Sequence, residues 1–140
     1  MAFSRDKEHW LFKFSPSEWI RAAMGELRRA EEAYKRRNAR AGLAGARRAA
    51  GMGLNAALIA EPNASWGRTY VEHLLALKDD AKVPEAVRVA TRFLLETQPP
   101  TGNLIVLRSK EQDDRVLEAA RDLIAHAYAV VARHEAQTRN

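Results

Sequence analysis

The sequence predicts an all-α protein, built as an up-and-down bundle of four to five helices. The strongest observation is the stretch Ala39–Ala60, where small residues recur at the i, i+3, i+4, i+7 spacing of one helix face. Glycine costs about 0.5–1 kcal/mol relative to alanine inside a helix, so Gly45 and Gly53 indicate close approach of a neighbouring helix. Helix-start signals and apolar periodicity in the other long segments are the second observation.

The first helix is predicted to begin at a capping box. Ser15 supplies the N-cap, Pro16 suits the first helical position, and Glu18 is the residue that reaches back to the cap. The apolar periodicity that follows predicts a helix ending near Arg37.

Two turn signals divide the middle of the chain. The small-residue helix is expected to end before Pro62, and Ser65 is predicted to cap a shorter third helix that ends near Leu77. Pro84 is predicted to stand at the start of a fourth helix.

A second break precedes the last helix. The proline- and glycine-containing segment 98–103 must interrupt the helical pattern, and the apolar run 104–107 is compatible with an extended segment against the bundle. Ser109 is predicted to cap a long final helix that ends near Gln137.

Length and composition predict one domain. The chain has 140 residues, of which 46% are hydrophobic and 29% charged, so we assign residues 15–140 to one helical domain and residues 1–14 to an N-terminal arm. The arm is apolar without a clean period, and it could dock on the bundle, dock on a partner chain or stay mobile. The sequence has no cysteine, no secretory signal and no apolar run of transmembrane length, which predicts a cytoplasmic protein that does not enter a membrane.

The charge balance leaves two interpretations open. A net charge of +5 favours weak association with anions such as nucleic acid, whereas arginines spread along helices also simply solvate outer faces. The chain has no Glu-x-x-His pair, His-Glu-x-x-His motif or Walker phosphate loop, so we predict no metal site and no cofactor.

Five segments carry a resemblance to a known family: EWIRAAMGELRRAEEAY, AGARRAAGMGLNAALIA, GRTYVEHLLALKDD, the PPTGN loop and DRVLEAARDLIAHAYAVV. In this order the chain resembles the HEPN (higher eukaryotes and prokaryotes nucleotide-binding) domain family from about Ser15 to Val131. The resemblance implies a homodimeric bundle connected with nucleotides or RNA. Some members are metal-independent endoribonucleases acting as toxins, others are partners of nucleotidyltransferases, and others act as adaptors.

The resemblance also implies candidate catalytic residues in the last helix. Ribonuclease members carry an Arg-x(4–6)-His motif, which Arg121 and His126 match here, with Tyr128 extending it and Asp122 at a position where a polar residue follows the arginine. His126 would shuttle protons, Arg121 would stabilise the phosphorane charge, and Tyr128 would position the phosphate. The alternative for His126 is a surface histidine paired with Asp122 at the i, i+4 spacing.

The motif has a competitor and a geometric difficulty. Arg68 and His73 show the same spacing in a different helix. Residues five apart on a helix are separated by about 140° around its axis, so Arg121 and Tyr128 flank one side of the apolar stripe, and Asp122 and His126 flank the other. They could converge only across a dimer interface, or if the long arginine side chain reaches around the helix.

Three residues of the small-residue helix are candidate binding residues. Arg47 and Arg48, with Asn55 about two turns on, could hold a phosphate, because the guanidinium fork pairs with two oxygens. The alternative is that these arginines solvate the outer face or pair with Glu26 and Glu32 of the preceding helix.

The leading functional hypothesis is a HEPN-like module that binds a nucleotide, RNA or protein without catalysis, as a homodimer. The resemblance adds a nucleotidyltransferase as a possible partner. The alternatives are a metal-independent endoribonuclease of the toxin type and a purely structural helical dimer.

Overall fold

A computed structural model of the chain describes residues 10–99 and 110–138, and within these ranges it contains helices and no strand. The α-helices are α1 (Pro16–Lys35), α2 (Ala39–Ala60), α3 (Tyr70–Leu77), α4 (Glu85–Glu96) and α5 (Lys110–Thr138), with short 3₁₀ turns at Trp10–Lys13 and Ala64–Trp66. The prediction of an all-α helical bundle is confirmed. None of the helices in the described ranges is both long enough and apolar enough to cross a membrane.

The predicted capping box at the start of α1 is present. The Ser15 side chain accepts a hydrogen bond from the Glu18 backbone N–H at 3.2 Å, and the Glu18 carboxylate accepts one from the Ser15 N–H at 2.9 Å. The helix ends at Lys35, two residues before the predicted end, and Arg37 adopts a left-handed conformation with φ of 62°. Asn38 then caps α2 by accepting from the Ala41 N–H.

The predicted third helix is wrong at its start. Ser65 lies inside a 3₁₀ turn that Asn63 caps, and α3 begins only at Tyr70, where the Thr69 hydroxyl accepts from the Glu72 N–H at 3.1 Å. Gly67 separates the two pieces with φ of +69°, a conformation that side chains disfavour and that stops a helix. The helix predicted from Ser65 is therefore divided into two segments.

The remaining boundaries agree with the prediction where the structure describes them. Pro84 is the N-cap of α4, and α5 ends at Thr138, one residue beyond the predicted end. The predicted break continues beyond Pro99 into residues 100–109, which include the apolar run 104–107 and the proposed cap Ser109 and lie outside the described residues.

Helix α2 is the centre of the bundle. It runs antiparallel to α1, since Gly45 faces Ala30 and Arg48 pairs with Glu26 farther along. It runs parallel to α5, because contacts advance together along both helices, from Gly53 on Ile124 to Glu61 on Arg133.

The glycines of α2 allow three other helices to pack closely against it. From Ala49 to Ala60 every residue except Met52 is buried, so this half of the helix is enclosed on all sides. Gly45 allows close approach of α1, Gly53 that of α5, and a Cβ at Gly51 would meet the side chain of Tyr70 on α3. The small residues thus form close contacts around the helix and not along a single face.

The end of the N-terminal arm docks on the bundle. Leu11 is fully buried, and its carbonyl accepts a hydrogen bond from Trp19 Nε1 at 2.8 Å. The rings of Phe14 and Trp19 pack in a T-shaped arrangement with 4.9 Å between their centres. Of the three alternatives for the arm, the first holds for residues 10–14, while residues 1–9 lie outside the described part of the chain.

Candidate functional site

The three candidate catalytic residues point into three different clefts along α5. Arg121 lines a cleft that it shares with Glu31 of α1, and Tyr128 lines a groove between α1 and α5. His126 lines a larger cleft on the side of Glu61. One chain therefore does not bring Arg121, His126 and Tyr128 together, and a composite site would need residues from a second chain.

The largest of these openings, which we call the His126 cleft, has a volume of about 550 Å³. It lies where the end of α2, the 3₁₀ turn, the loop between α3 and α4, and the second half of α5 meet. Its polar side chains are Glu61, Asn63, Asp80, Lys82, His126 and Arg133, and its apolar ones are Ala57, Pro62, Trp66, Val83, Pro84, Ala129 and Val130.

Local sequence signals shape the walls of this cleft. Glu61 ends α2, and Pro62 follows it, while the Asn63 side chain accepts from the Ser65 N–H at 3.1 Å and fixes the following turn. On the opposite wall, Pro84 directs the chain into α4.

The electrostatics of the cleft are centred on His126. Arg133 Nη2 lies 3.0 Å from Glu61 Oε2, and both side chains are partly exposed. Burial lowers the pKa of His126, and the nearby positive charge of Arg133 lowers it further, while Glu61 acts in the opposite direction. At neutral pH the imidazole is therefore neutral, and it offers one hydrogen-bond donor and one acceptor.

The formal charges of the cleft cancel. Lys82 and Arg133 contribute two positive charges, and Glu61 and Asp80 contribute two negative ones. The cleft can thus hold an anion and hydroxyl groups together, but it opposes the entry of a high negative charge.

Asp122 lies away from the His126 cleft. It lines two other clefts, and its pKa is raised by burial first and by the charge of Glu118 second. The charged groups that shift the pKa of His126 are Arg133 and Glu61, so the local environment of the imidazole comes from α2 and α5.

The two arginines of α2 have different roles. Arg47 donates to the carbonyl oxygens of Leu94 and Thr97, both at 2.8 Å, and so satisfies the end of α4. Its burial lowers its pKa. Arg48 pairs with Glu26 at 2.9 Å, as the alternative interpretation proposed, and Arg47 directs its fork at backbone carbonyls of its own chain.

Asn55 belongs to a buried polar pair that sequence reasoning missed. Oδ1 of Asn55 lies 2.7 Å from Nε2 of His73, and Nδ1 of His73 lies 2.8 Å from the Trp66 carbonyl oxygen. Both side chains are fully buried. An asparagine inside the apolar run that ends α2 was the available signal for a buried partner, although nothing in the sequence named His73 as that partner.

The second Arg-x(4)-His match, formed by Arg68 and His73, has a structural role. His73 is in the core, where burial lowers its pKa, whereas Arg68 is exposed and its guanidinium lies 5.9 Å from the ring centre of Trp10. Trp66 connects this core pair to the candidate site, because its side chain lines the His126 cleft while its carbonyl holds His73.

Residues 10–99 and 110–138 contain no group of three or more His, Asp or Glu side chains placed to hold a metal ion. No protein-family model, curated protein or solved structure matches this chain. The evidence for function therefore rests on the geometry of the site.

Proposed function

We propose that this protein is a HEPN-type helical module that binds a nucleoside monophosphate in the His126 cleft and does not cleave RNA. The observation that carries the proposal is the cleft itself. Its volume of about 550 Å³ lies within the range of about 300–1,000 Å³ typical of small-molecule sites, and it combines an apolar wall with a few polar groups.

Each part of a nucleotide finds matching chemistry in the lining. Lys82 and Arg133 supply charges for a phosphate, and an arginine fork pairs with two phosphate oxygens. Asp80 can accept hydrogen bonds from ribose hydroxyls, as acidic residues do in dinucleotide sites. Trp66 and Pro62 offer an apolar wall against which a base can pack.

The charge balance favours a single phosphate. A monophosphate brings about two negative charges to a lining whose own charges cancel. Each further phosphate adds negative charge beside Glu61 and Asp80, which the lining does not offset.

The HEPN resemblance of residues 15–131 supports the same ligand class. On the basis of the same resemblance, we also propose that the protein is a homodimer and that a nucleotidyltransferase is a possible partner. Binding is favoured over metal-independent cleavage because Arg121 and His126 line separate clefts, so a cleavage site would depend on a second chain.

The proposal is tested by isothermal titration calorimetry with AMP, GMP, CMP and UMP, each beside its nucleoside. We expect at least one monophosphate to bind, and Lys82→Ala and Arg133→Ala to weaken it about tenfold each. Lys35→Ala is the matched control, because Lys35 forms exposed ion pairs on α1 away from the cleft. If the folded wild-type protein binds none of the four nucleotides, the proposal is wrong.

A further inference from the structure

A second surface, which we call the Tyr128 groove, runs between α1 and α5 on a different side of the bundle. It has a volume of about 460 Å³. Its apolar residues are Ile20, Met24, Tyr128, Val131 and Ala132, and its charged residues are Arg21, Arg28 and Glu135. Tyr128 is 61% exposed, the highest value among the large apolar side chains that the structure describes.

The two arginines of the groove stand on α1 without salt bridges. Arg21 and Arg28 are seven residues apart, which places them about two turns, or 10.5 Å, apart along the helix. Neither forms a salt bridge with another residue of the described chain. The closest acidic group in sequence, Glu18, accepts the Ser15 N–H in the capping box, and the charge of Arg21 acts on it without forming a salt bridge.

We infer that the Tyr128 groove docks an acidic amphipathic helix of a partner protein. Two carboxylates seven residues apart on that helix would meet Arg21 and Arg28, and apolar residues between them would pack on Met24 and Tyr128. Apolar anchors at three- and four-residue spacing are the usual mode of a helix in a groove. Arginine and tyrosine at the centre of a contact are the residue types that carry most binding energy.

Two other occupants fit the groove less well. The apolar floor that includes Ile20 and Met24 has no counterpart on an RNA backbone. A second copy of this chain would place its own Arg21 and Arg28 in a groove whose lining already has two arginines and a single glutamate. Positive charge would then remain unpaired at the contact.

The test uses a designed helical peptide of about 15 residues, with two glutamates seven positions apart and leucines between them. We expect fluorescence anisotropy to show binding by the wild-type protein. The double variant Arg21→Glu/Arg28→Glu should weaken this binding at least about tenfold, and should in turn bind the same peptide carrying lysines in place of the glutamates.

Arg29→Glu is the matched control, because Arg29 is an exposed arginine of α1 that does not line the groove. It should leave peptide binding within about twofold of wild type. Circular dichroism checks that every variant folds. The inference is overturned if the wild-type protein does not bind the glutamate peptide, or if it binds the lysine peptide equally well.

Two further results would also overturn it. One is binding of a single-stranded oligonucleotide of about 12 nucleotides that requires the groove arginines, which would make the surface a nucleic-acid site. The other is a dimer in sedimentation equilibrium that Tyr128→Ala dissociates, which would make a second copy the occupant.

Discussion

The side-chain oxygen Oδ1 of Asn55 lies 2.7 Å from Nε2 of His73, and neither side chain reaches solvent. The other ring nitrogen of His73 lies 2.8 Å from the Trp66 carbonyl oxygen. Both ring nitrogens of His73 therefore face oxygen acceptors, and because a neutral imidazole has one N–H it can donate to only one of them at a time. This pair connects α3 to α2 inside a largely apolar core.

The buried imidazole makes folding stability depend on pH. Burial lowers the pKa of His73, so the unfolded chain binds a proton at a higher pH than the folded chain does. The free energy of unfolding should therefore fall as the pH drops below about 6.5, the ordinary histidine value. Urea titrations between pH 7.5 and pH 5 should show this fall, and His73→Gln should reduce it. An equal pH slope in the two proteins would contradict the prediction.

Close approach of α5 to Gly53 predicts a large cost for a bulky side chain there. A Cβ at this position would lie 3.1 Å from Ile124 Cγ1, so we expect Gly53→Leu to destabilise the fold by about 1–3 kcal/mol. Gly25→Leu is the control, since its Cβ would meet only the ends of Arg28 and Arg29 at 3.8 Å. That variant should be neutral or slightly stabilising in thermal denaturation, because leucine is a better helix former than glycine.

Arg47 should matter far more to stability than its neighbour. Removing its guanidinium leaves carbonyl oxygens at the end of α4 without a donor, so Arg47→Ala should cost about 2–4 kcal/mol. Arg48→Ala removes an ion pair in which Arg48 is half exposed and the Glu26 side chain is 15% exposed, and it should cost about 1 kcal/mol. Chemical denaturation of the two variants measures the difference, and equal costs would show that Arg47 does not hold α4.

Glu61 should weaken nucleotide binding at the proposed site. A phosphate must take the place of the Glu61 carboxylate on Arg133, whereas a neutral nucleoside need not. Glu61→Gln should therefore tighten AMP binding about two- to fivefold and leave adenosine binding unchanged.

The same variant should lower the pKa of His126 in the free protein, since Glu61 raises it, and an NMR titration of the imidazole measures this. Glu118→Gln is the control for net charge, because Glu118 lines other clefts. Tighter binding of adenosine in Glu61→Gln would argue against the exchange at Arg133.

RNA should survive incubation with this protein in EDTA. Arg121 and His126 line separate clefts, so a single chain does not assemble a proton shuttle beside a charge stabiliser. A panel of single- and double-stranded RNA resolved on a denaturing gel measures this. Cleavage that disappears in both Arg121→Ala and His126→Ala would contradict the expectation, and it would indicate a site shared between two chains.

Local signals were sufficient to predict most helix boundaries. Ser15 and Pro84 act on their own backbone neighbours, so their effect can be read within one turn. The division of the third helix was not predictable in this way. Ser65 and Thr69 are both acceptable caps, and only the left-handed conformation of Gly67 decides which one begins the helix.

The candidate site depends on contacts between distant residues. Glu61 comes close to His126 and Arg133 of α5 because α2 and α5 run side by side, an arrangement that no spacing in the sequence encodes. The pairing of Asn55 with His73 depends in the same way on how α3 packs against α2. Helix geometry alone predicts that Arg121 and His126, which are five residues apart, lie on different sides of α5. The structure places them in separate clefts.

The enclosure of α2 by three neighbours has an evolutionary consequence. A larger residue at Gly45, Gly51 or Gly53 meets a different helix each time, so no single compensating change elsewhere could accommodate all three. Related sequences should therefore diverge freely along the outer faces of α1 and α5 while this helix changes slowly. In this chain, low tolerance to substitution would mark the centre of the fold and not the residues that carry function.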